Sequence, residues 1–334
     1  MKTLVYLGPR RLEIREADIP VPAPGEAVLK VEAVGICGSE LEGYLGHSAV
    51  RTPPLVMGHE FCGVIESLAP DVEGWNIGDK VVVNPLIACG TCDRCRQGRE
   101  NICRSRRIVG IHRPGAFADY VAVPAANMIR VPADFDAAAA SLAEPLAVCV
   151  HALRIGFRPL EDLVIFGAGP IGLLTLQAAQ AMGAGRVLVV ERQPARLQFA
   201  RQLGAETASP AEAEEAARRL FGARGVDTIV DCVGVEATRA QSIALVNPGG
   251  VIVEVGLGAD YSNLPMNHVV RQEISLIGSY TYSSAEFGQA VDLLLGGKVT
   301  RERWSAGCGL EEAGDVFERL VNGTADYGKY IIHP

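Results

Sequence analysis

The spacing of apolar residues changes along the chain and predicts two kinds of structure. Up to about residue 150, short runs rich in valine and isoleucine are broken repeatedly by glycine and proline. Strand-length runs of this kind, punctuated by turn residues, are typical of a β-rich, irregular domain with little helix. The runs predicted to be strands are 26–34, 63–67, 80–84 and 117–123.

After residue 150, apolar runs of strand length alternate with segments of helix length. The predicted strands are 162–166, 186–191, 226–233 and 250–255. Helices are predicted up to about residue 182 and over 194–203, where Gly204 provides a C-terminal stop. This alternation predicts a doubly wound parallel sheet with helices on both faces, and so an α/β protein.

The same patterns predict the domain bounds. We expect residues 1–150 and 274–334 to form one domain and residues 151–273 to form the doubly wound one. Past residue 273 the chain is expected to rejoin the first domain, and to end with a helix and a short strand at 329–332.

A glycine-rich turn follows the strand predicted at 162–166 and fits G-x-G-x-x-G. Its residues are Gly167, Gly169, Pro170, Ile171 and Gly172. The first glycine permits a tight bend, the second lets backbone approach a pyrophosphate, and the third lets helix pack on strand. Because the following helix also offers free N–H groups to phosphate, the turn is predicted to bind a dinucleotide.

An acidic residue ends the next predicted strand, about 20 residues beyond the turn. A carboxylate at Glu191 can accept hydrogen bonds from the adenosine ribose and repels a 2′-phosphate, which favours NAD. Arg192 and Arg196 follow it and offer guanidinium groups to a 2′-phosphate, so NADP stays open. Val255 and Leu257, after a later strand, are predicted to flank the nicotinamide.

Four of the nine cysteines fall in one short stretch with the spacing C-x2-C-x2-C-x7-C. They are Cys89, Cys92, Cys95 and Cys103. Four thiolates can surround one zinc ion tetrahedrally, and a closed site of this kind is structural because no position is left for water. An iron–sulfur cluster is the alternative, but no second set of cysteines provides an electron path.

The overall charge limits the classes of partner. The chain has 334 residues and a formal net charge of −8, which disfavours nucleic acid and anionic membrane surfaces. No apolar run reaches the roughly 18 residues of a membrane span, and the apolar start is too short for a signal peptide, so we expect a cytoplasmic protein. One basic cluster is either a solvated surface or a rim that attracts an anionic substrate: Arg104, Arg106, Arg107 and Arg113.

A second candidate metal site involves Cys37 and His59. One thiolate, one imidazole and one carboxylate would hold zinc and leave a position for an alcohol oxygen. From these residues alone, the favoured interpretation is instead two buried side chains with ordinary partners.

Several motifs, in order, give the chain its resemblance to a known family. They are Gly35-Ile36-Cys37-Gly38-Ser39, Gly58-His59-Glu60, the four-cysteine segment, Glu144-Pro145-Leu146-Ala147 and the glycine-rich turn. Over essentially its whole length the chain resembles the medium-chain zinc alcohol dehydrogenases, and most of all their polyol branch, which includes sorbitol and galactitol-phosphate dehydrogenases. The resemblance implies a GroES-like catalytic domain beside a Rossmann domain, with two zinc ions per chain and NAD as cofactor.

The resemblance also implies roles for single residues. Cys37 and His59 would bind the catalytic zinc, and we expect Glu144, ahead of Glu60, as the third ligand, with exchange between the two as an alternative. Ser39 would take the alcohol proton. Many relatives carry a histidine three residues later to pass the proton on, but this chain has Glu42 there. The end of the relay is therefore not predicted.

The sequence thus predicts a zinc-dependent oxidoreductase that moves a hydride between NAD(H) and a secondary alcohol carbon of a polyol or sugar-derived substrate. Secondary alcohols, threonine and sugar acids are alternative substrates, and relatives suggest a homodimer or homotetramer. A metal-free NADPH reductase and a non-catalytic zinc-binding regulatory protein are the rival classes. The residues expected near the pocket are Tyr44, His112, Arg113, Tyr280 and Thr281.

Overall fold

The structure is a computed structural model that describes residues 1–334 and contains 18 strands and 11 α-helices. The strands are β1 (Lys2–Gly8), β2 (Arg11–Glu16), β3 (Glu26–Gly35), β4 (Leu55–Val56), β5 (Glu60–Leu68), β6 (Lys80–Val83), β7 (Leu86–Ile87), β8 (Arg107–Ile108), β9 (Tyr120–Pro124), β10 (Met128–Arg130), β11 (Leu163–Phe166), β12 (Val187–Val190), β13 (Glu206–Ala208), β14 (Val226–Asp231), β15 (Val246–Glu254), β16 (Ser275–Gly278), β17 (Ser305–Gly309) and β18 (Lys329–His333). The helices are α1 (Gly38–Tyr44), α2 (Asp93–Arg96), α3 (Ala137–Ala140), α4 (Ala143–Gly156), α5 (Pro170–Ala181), α6 (Pro194–Gln202), α7 (Ala213–Phe221), α8 (Glu236–Leu245), α9 (Met266–Arg271), α10 (Ser284–Leu295) and α11 (Ala313–Val321).

The chain divides into two compact units. The first comprises Met1–Glu144, Ser283–Leu295 and Thr300–Pro334, and the second comprises Pro145–Tyr282 and Gly296–Val299. The unit boundaries therefore lie at residues 144 and 282 rather than at 150 and 273. The later one moves because β16, beyond residue 273, still pairs with β15 in the sheet of the second unit.

A seven-stranded sheet forms the centre of the first unit. Its strands follow the order β10-β6-β5-β3-β18-β17, and β9 also pairs with β3. All four strands predicted here overlap observed strands, which are β3, β5, β6 and β9. The fourth, β9, begins at Tyr120 rather than at Phe117, because the Phe117 carbonyl instead accepts a hydrogen bond from the N–H of Leu4.

Aromatic packing fixes the helix that carries the predicted catalytic serine. Phe317, in α11, lies edge-on against Tyr44 at 5.3 Å and against Phe117 at 5.9 Å, measured between ring centroids. All three rings are buried. Removing one such ring from a packed core costs about 3–5 kcal/mol, so this cluster holds α1 firmly against α11.

The second unit is built on a six-stranded parallel sheet in the order β13-β12-β11-β14-β15-β16. Every residue of β11 and β12 is buried, which explains why these strands read as continuous apolar runs. The predicted strand 226–233 stops at Asp231, because that carboxylate accepts the N–H groups of Val233 and Gly234 and so turns the chain. The expected pairing of a GroES-like domain with a Rossmann domain is confirmed.

One stretch, Ala137–Gly156, has the length and mean hydropathy (1.3) of a membrane-spanning helix, although no apolar run of that length was predicted. Within the protein 72% of it is buried, as in the core helix of a soluble protein.

A carboxyl group at the end of β15 links the stability of the protein to pH. Burial, and then the like charge of Asp231, raise the pKa of Glu254 to about 7, although Arg239 opposes the shift. A carboxyl with a raised pKa in the folded state adds stability that is complete below about pH 4.5 and is lost as the pH rises through about 7. We therefore expect Glu254→Gln to flatten the fall in the free energy of unfolding between about pH 5 and 8.

Urea unfolding at about pH 5 and about pH 8 measures the change in the free energy of unfolding between them. Glu215→Gln, on the exposed face of α7, is the matched control and should leave the pH dependence of the wild type unchanged. An equally steep fall in Glu254→Gln would contradict the assignment.

Candidate metal and nucleotide sites

The four clustered cysteines place their sulfur atoms within 4.8 Å of one another. The Sγ–Sγ distances from Cys89 to Cys95, Cys92 to Cys95, Cys92 to Cys103 and Cys89 to Cys103 are 3.9, 3.5, 3.9 and 3.5 Å. A zinc ion with bonds of 2.3 Å to four sulfurs needs about 3.8 Å between them. The donor set therefore fits one zinc ion.

Hydrogen bonds prepare this site for thiolates. The backbone N–H of Thr91, and after it that of Cys92, lower the pKa of the Cys89 thiol to about 6. Burial and the neighbouring thiols shift Cys95 in the opposite direction, to a pKa of about 12. Cys89 therefore loses its proton readily, whereas a bound divalent cation would be needed to favour the thiolate of Cys95.

The second metal cluster joins two motifs that are separated in the sequence. Cys37 caps the N-terminus of α1, while His59 and Glu60 stand at the start of β5. One possible ligand atom from each of the three residues lies within 4.8 Å of the others. A thiolate, an imidazole and a carboxylate therefore meet in one largely buried place.

The Glu40 carboxylate holds these two motifs together. One of its oxygens accepts the backbone N–H of Cys37 at 3.0 Å. The other lies 2.8 Å from the backbone nitrogen of Gly58 and 2.8 Å from Nδ1 of His59. Because Nδ1 is occupied in this way, Nε2 of His59 remains as the ligand nitrogen.

A buried lysine pairs with the glutamate of the cluster. The ammonium of Lys329 contacts Oε2 of Glu60, and both side chains are 1% exposed. Lys329 also donates to the Ile36 carbonyl at 3.0 Å. Gly35 makes room for the pair, since a Cβ there would lie 2.3 Å from Oε2 of Glu60. Glu60 is thus a buried acid with a cationic partner, yet it still lies within the cluster.

Glu144 is the residue expected as the third ligand. It lies in the first turn of α4 and is 8% exposed. It is not one of the three residues that the cluster groups within 4.8 Å. The structure therefore brings Glu60 together with Cys37 and His59, and Glu144 as a ligand stays a prediction.

The charge of this cluster suits a divalent cation. Burial alone would lower the pKa of His59, but the charges of Glu40 and Cys37 outweigh it and raise that pKa well above its usual range. The acidic groups thus draw a proton onto the imidazole. A zinc ion could replace this proton as the source of positive charge. Thiolate, imidazole and carboxylate groups are all common ligands of zinc.

The predicted proton acceptor lies beside the cluster, whereas Glu42, at the position of the relay histidine in many relatives, forms a pair at the surface. The Ser39 hydroxyl donates to Sγ of Cys37 at 3.3 Å and accepts from Nη2 of Arg51 at 2.9 Å. Glu42 instead pairs with His47 at 3.0 Å, and both side chains are more than 60% exposed. The Glu42–His47 pair is thus a surface pair.

A cavity of about 710 Å³ lies in the first unit, between the segment before β5 and the loop after β8. Its lining residues are Val5, Val50, Thr52, Pro54, Leu55, Val56, Arg107, Ile111, His112, Arg113 and Pro114. Arg113 pairs with Glu26 at 2.6 Å and donates to the Ala122 carbonyl at 3.0 Å. Its guanidinium is therefore engaged within the protein, which disfavours the expectation that it meets a substrate anion.

The glycine-rich turn joins β11 to α5 in the second unit. Gly167 has φ of +93°, a conformation that glycine adopts without strain. A Cβ on Gly172 would lie 1.9 Å from the Gly167 carbonyl oxygen, so the helix packs directly on the turn. Around Gly169 the nearest atom is Nη1 of Arg196, 4.0 Å from where a Cβ would stand. This open backbone beside a guanidinium suits a pyrophosphate.

Glu191 lies against the same turn. Its carboxylate accepts the N–H of Ala168 at 3.0 Å and that of Gln193 at 2.9 Å, and it is 8% exposed. Farther along the same edge of the sheet, the N–H of Val255 bonds to the Asp231 carbonyl, and Leu257 is exposed. The predicted nucleotide residues thus gather at the carboxyl ends of β11, β12 and β15.

Two family matches cover most of both units. Residues 23–133 match the alcohol dehydrogenase GroES-like domain, and residues 170–296 match the zinc-binding dehydrogenase domain. The chain therefore belongs to the medium-chain, zinc-dependent alcohol dehydrogenases, as its motifs predicted.

Named relatives place it within that family. It is 33% identical to L-galactonate-5-dehydrogenase of Escherichia coli over 90% of this chain and 89% of the relative. It is 30% identical to sorbitol dehydrogenase of Bacillus subtilis, with 100% and 97% covered. A zinc-binding dehydrogenase of Sinorhizobium meliloti, solved bound to NADP, matches with a TM-score of 0.91 and 32% identity over 100% of this chain and 99% of that one. The resemblance to the polyol branch is confirmed.

Three residues of the catalytic cluster's surroundings were missed as functional candidates. Glu40 had a detectable signal, since a glutamate three residues after the N-terminal cap of a helix forms a capping box. Lys329 was assigned only to a strand, and Arg51 was not singled out. Neither residue is marked by a motif in its own segment, because Lys329 meets Glu60 and Arg51 meets Ser39 only in the folded chain.

The cysteine segment gives a direct test by metal analysis. Cys92→Ser should leave about one zinc ion per chain instead of two, because three thiolates no longer close the tetrahedron. Limited proteolysis should then cut within residues 89–103. Cys308→Ser, in β17 of the same unit, is the control and should keep both ions. Two retained ions in Cys92→Ser would contradict the site.

The ribose assignment predicts a change in nucleotide affinity. Glu191→Ala removes a charged acceptor, so we expect NADH binding to weaken about 10- to 100-fold and the preference for NADH over NADPH to shrink. Fluorescence titration with both nucleotides measures this. Glu206→Ala, exposed on β13, is the control. An unchanged preference in Glu191→Ala would show that another residue selects the cofactor.

Proposed function

We propose that this protein oxidises a secondary alcohol carbon of a polyol or sugar-derived substrate, using NAD⁺ and a catalytic zinc ion. One observation carries the proposal: the buried Cys37–His59–Glu60 cluster has a serine hydroxyl, that of Ser39, in hydrogen-bond contact with its thiol. Named relatives act on L-galactonate and sorbitol, which supports a polyhydroxylated substrate.

The zinc ligands proposed are Cys37, His59 and one glutamate. Lys329 contacts only Oε2 of Glu60, so Oε1 remains as a ligand atom, and the position of Glu60 in the cluster supports it as that glutamate. Glu144 is the alternative, either alone or in exchange with Glu60. Cys89, Cys92, Cys95 and Cys103 would bind the second, structural zinc ion.

A zinc ion held by Cys37, His59 and a glutamate would supply Lewis-acid polarisation of the substrate hydroxyl, and a nicotinamide at the glycine-rich turn would supply the hydride acceptor. The protein supplies orientation and a place for the proton. Ser39 would accept the proton of the substrate hydroxyl through Oγ and release its own hydroxyl proton to the ribose of the bound nucleotide. Glu40 keeps the His59 ring in position, and Lys329 balances the charge of Glu60.

NAD is proposed as the cofactor because Glu191 lies at the glycine-rich turn. Its carboxylate, near the backbone of Ala168, stands where a 2′-phosphate would be repelled. Arg196 lies nearby and the Sinorhizobium meliloti relative binds NADP, so discrimination rests mainly on this one carboxylate.

A homodimer or homotetramer is also proposed. β16 is an edge strand of its sheet, and Tyr261 and Val270 in the same unit are 90% and 73% exposed. Unpaired edges and exposed apolar side chains favour association with a second copy.

The rival classes differ in what they demand of the cluster. A metal-free reductase or a regulatory protein has no use for a thiolate, an imidazole and a carboxylate beside a hydroxyl. The test is Cys37→Ala, which should lower turnover at least about a hundredfold while the zinc of the cysteine segment remains bound. Glu60→Gln and Glu144→Gln, measured in parallel, identify the third ligand by their zinc content.

Release of NADH across a panel of polyols, sugar acids and secondary alcohols measures turnover, and metal analysis measures zinc. Cys308→Ser is again the control and should keep its activity. Full activity in a metal-depleted Cys37→Ala preparation would end the zinc mechanism.

A further inference from the structure

Arg51 is a buried cation that has no acidic partner. Its side chain is 5% exposed, and Nη2 donates to the Ser39 hydroxyl at 2.9 Å. The Nε–H is buried and has no hydrogen-bond partner, and no carboxylate lies within 4.0 Å of the guanidinium. A buried charge left in this state is unfavourable unless an anion pairs with it.

The nearest carboxylate does not meet this need. Burial raises the pKa of Glu40, but the charge and hydrogen bond of His59 and, less strongly, the charge of Arg51 outweigh it and lower that pKa. The Glu40 oxygens, however, are already engaged by Cys37, Gly58 and His59. The guanidinium therefore keeps both its charge and spare N–H groups next to the serine.

The helix beside Arg51 is shaped to let this side chain pass. A Cβ on Gly43, in α1, would lie 2.5 Å from Cδ of Arg51. Gly43 has ordinary helical backbone, where alanine is the more stable residue. The glycine is therefore explained by the close passage of the arginine toward Ser39.

The other basic groups nearby are less suited to bind an anion. Arg113 is paired with Glu26. Burial, and then the charge of Arg107, lower the pKa of His112, so the imidazole stays neutral. Arg107 is exposed and donates to the His112 carbonyl. Arg51 is thus the buried, unpaired cation beside the catalytic serine.

We propose that Arg51 binds a carboxylate carried by the substrate near the hydroxyl that is oxidised, and so selects sugar acids over neutral polyols. The inference rests on the proposed alcohol oxidation and names its substrate class. A hydroxyl that gives its proton to Ser39 brings its neighbouring carbons within reach of a guanidinium 2.9 Å away. The planar fork of N–H donors matches a carboxylate, and one positive charge matches its single negative charge.

The test compares two substrates that differ in one group. Initial rates with NAD⁺ are measured for a hexonate and for the corresponding hexitol, using the zinc-loaded enzyme. The wild type should prefer the hexonate, and Arg51→Gln should lower kcat/KM for the hexonate about 10- to 100-fold more than for the hexitol, mainly through KM. Arg51→Lys should restore part of the preference.

Arg107→Gln is the matched control, because it removes the same charge from the wall of the neighbouring cavity. It should change the two substrates alike. If Arg51→Gln does not fold, Gly43→Ala gives a second route, since it crowds the arginine stem and should reduce the same preference.

Thermal unfolding with added hexonate or hexitol separates this inference from the proposed function. Stabilisation by hexonate that Arg51→Gln abolishes supports the inference, even if no alcohol is oxidised and the proposed function fails. An equal loss for both substrates, or a larger loss for a hexitol phosphate than for the hexonate, would overturn it. So would weaker NADH binding with no change in the substrate ratio, because the guanidinium would then serve the cofactor.

Discussion

The Cys37–His59–Glu60 cluster depends on the Glu40 carboxylate, which is completely buried and accepts hydrogen bonds from three nitrogen atoms. One comes from the residue that begins α1, and two come from the turn that leads into β5. A carboxylate buried without such donors would be strongly unfavourable, so the two chain segments stay together as long as it remains ionised. The thiol of Cys37 and the imidazole of His59 are thereby placed before any metal arrives, and the ring is turned so that one nitrogen is available. Preorganisation of the ligands is thus a property of a residue that binds no metal itself.

The fold was largely predictable because its signals are local. Parallel strands buried on both faces are apolar throughout, and the runs at β11 and β12 show this directly. The glycine-rich turn also follows local rules, as the close contact of Gly172 with the Gly167 carbonyl illustrates. The end of the nucleotide-binding unit was not predictable in this way. β16 is a four-residue edge strand with no buried position, so its sequence carries no apolar pattern that marks it as part of the sheet.

The candidate site was predictable only where spacing or a family motif marked it. The four cysteines form a site within 15 residues of chain, and their spacing was sufficient. Cys37 and His59 were assigned through resemblance, and the structure brings both into one cluster with Glu60. The residues that adjust the charge of the site were not accessible in the same way. Lys329 and Arg51 meet their partners only through strand pairing and through the passage over Gly43, and no periodicity in a single sequence encodes such meetings.

The pairing of Glu60 with Lys329 also constrains the order in which the two units can fold during synthesis. The two residues are 269 positions apart, and β18, which carries the lysine, inserts between β3 and β17. At about 5–20 residues per second, the glutamate leaves the ribosome roughly ten to fifty seconds before its cation is made. The nucleotide-binding unit, whose sheet strands lie between these two residues in the chain, can fold in that interval. The sheet of the first unit cannot be completed until β18 has been synthesised, and the Glu60 carboxylate stays hydrated until then. The nucleotide-binding unit can therefore fold first, and the cluster that contains Glu60 forms last.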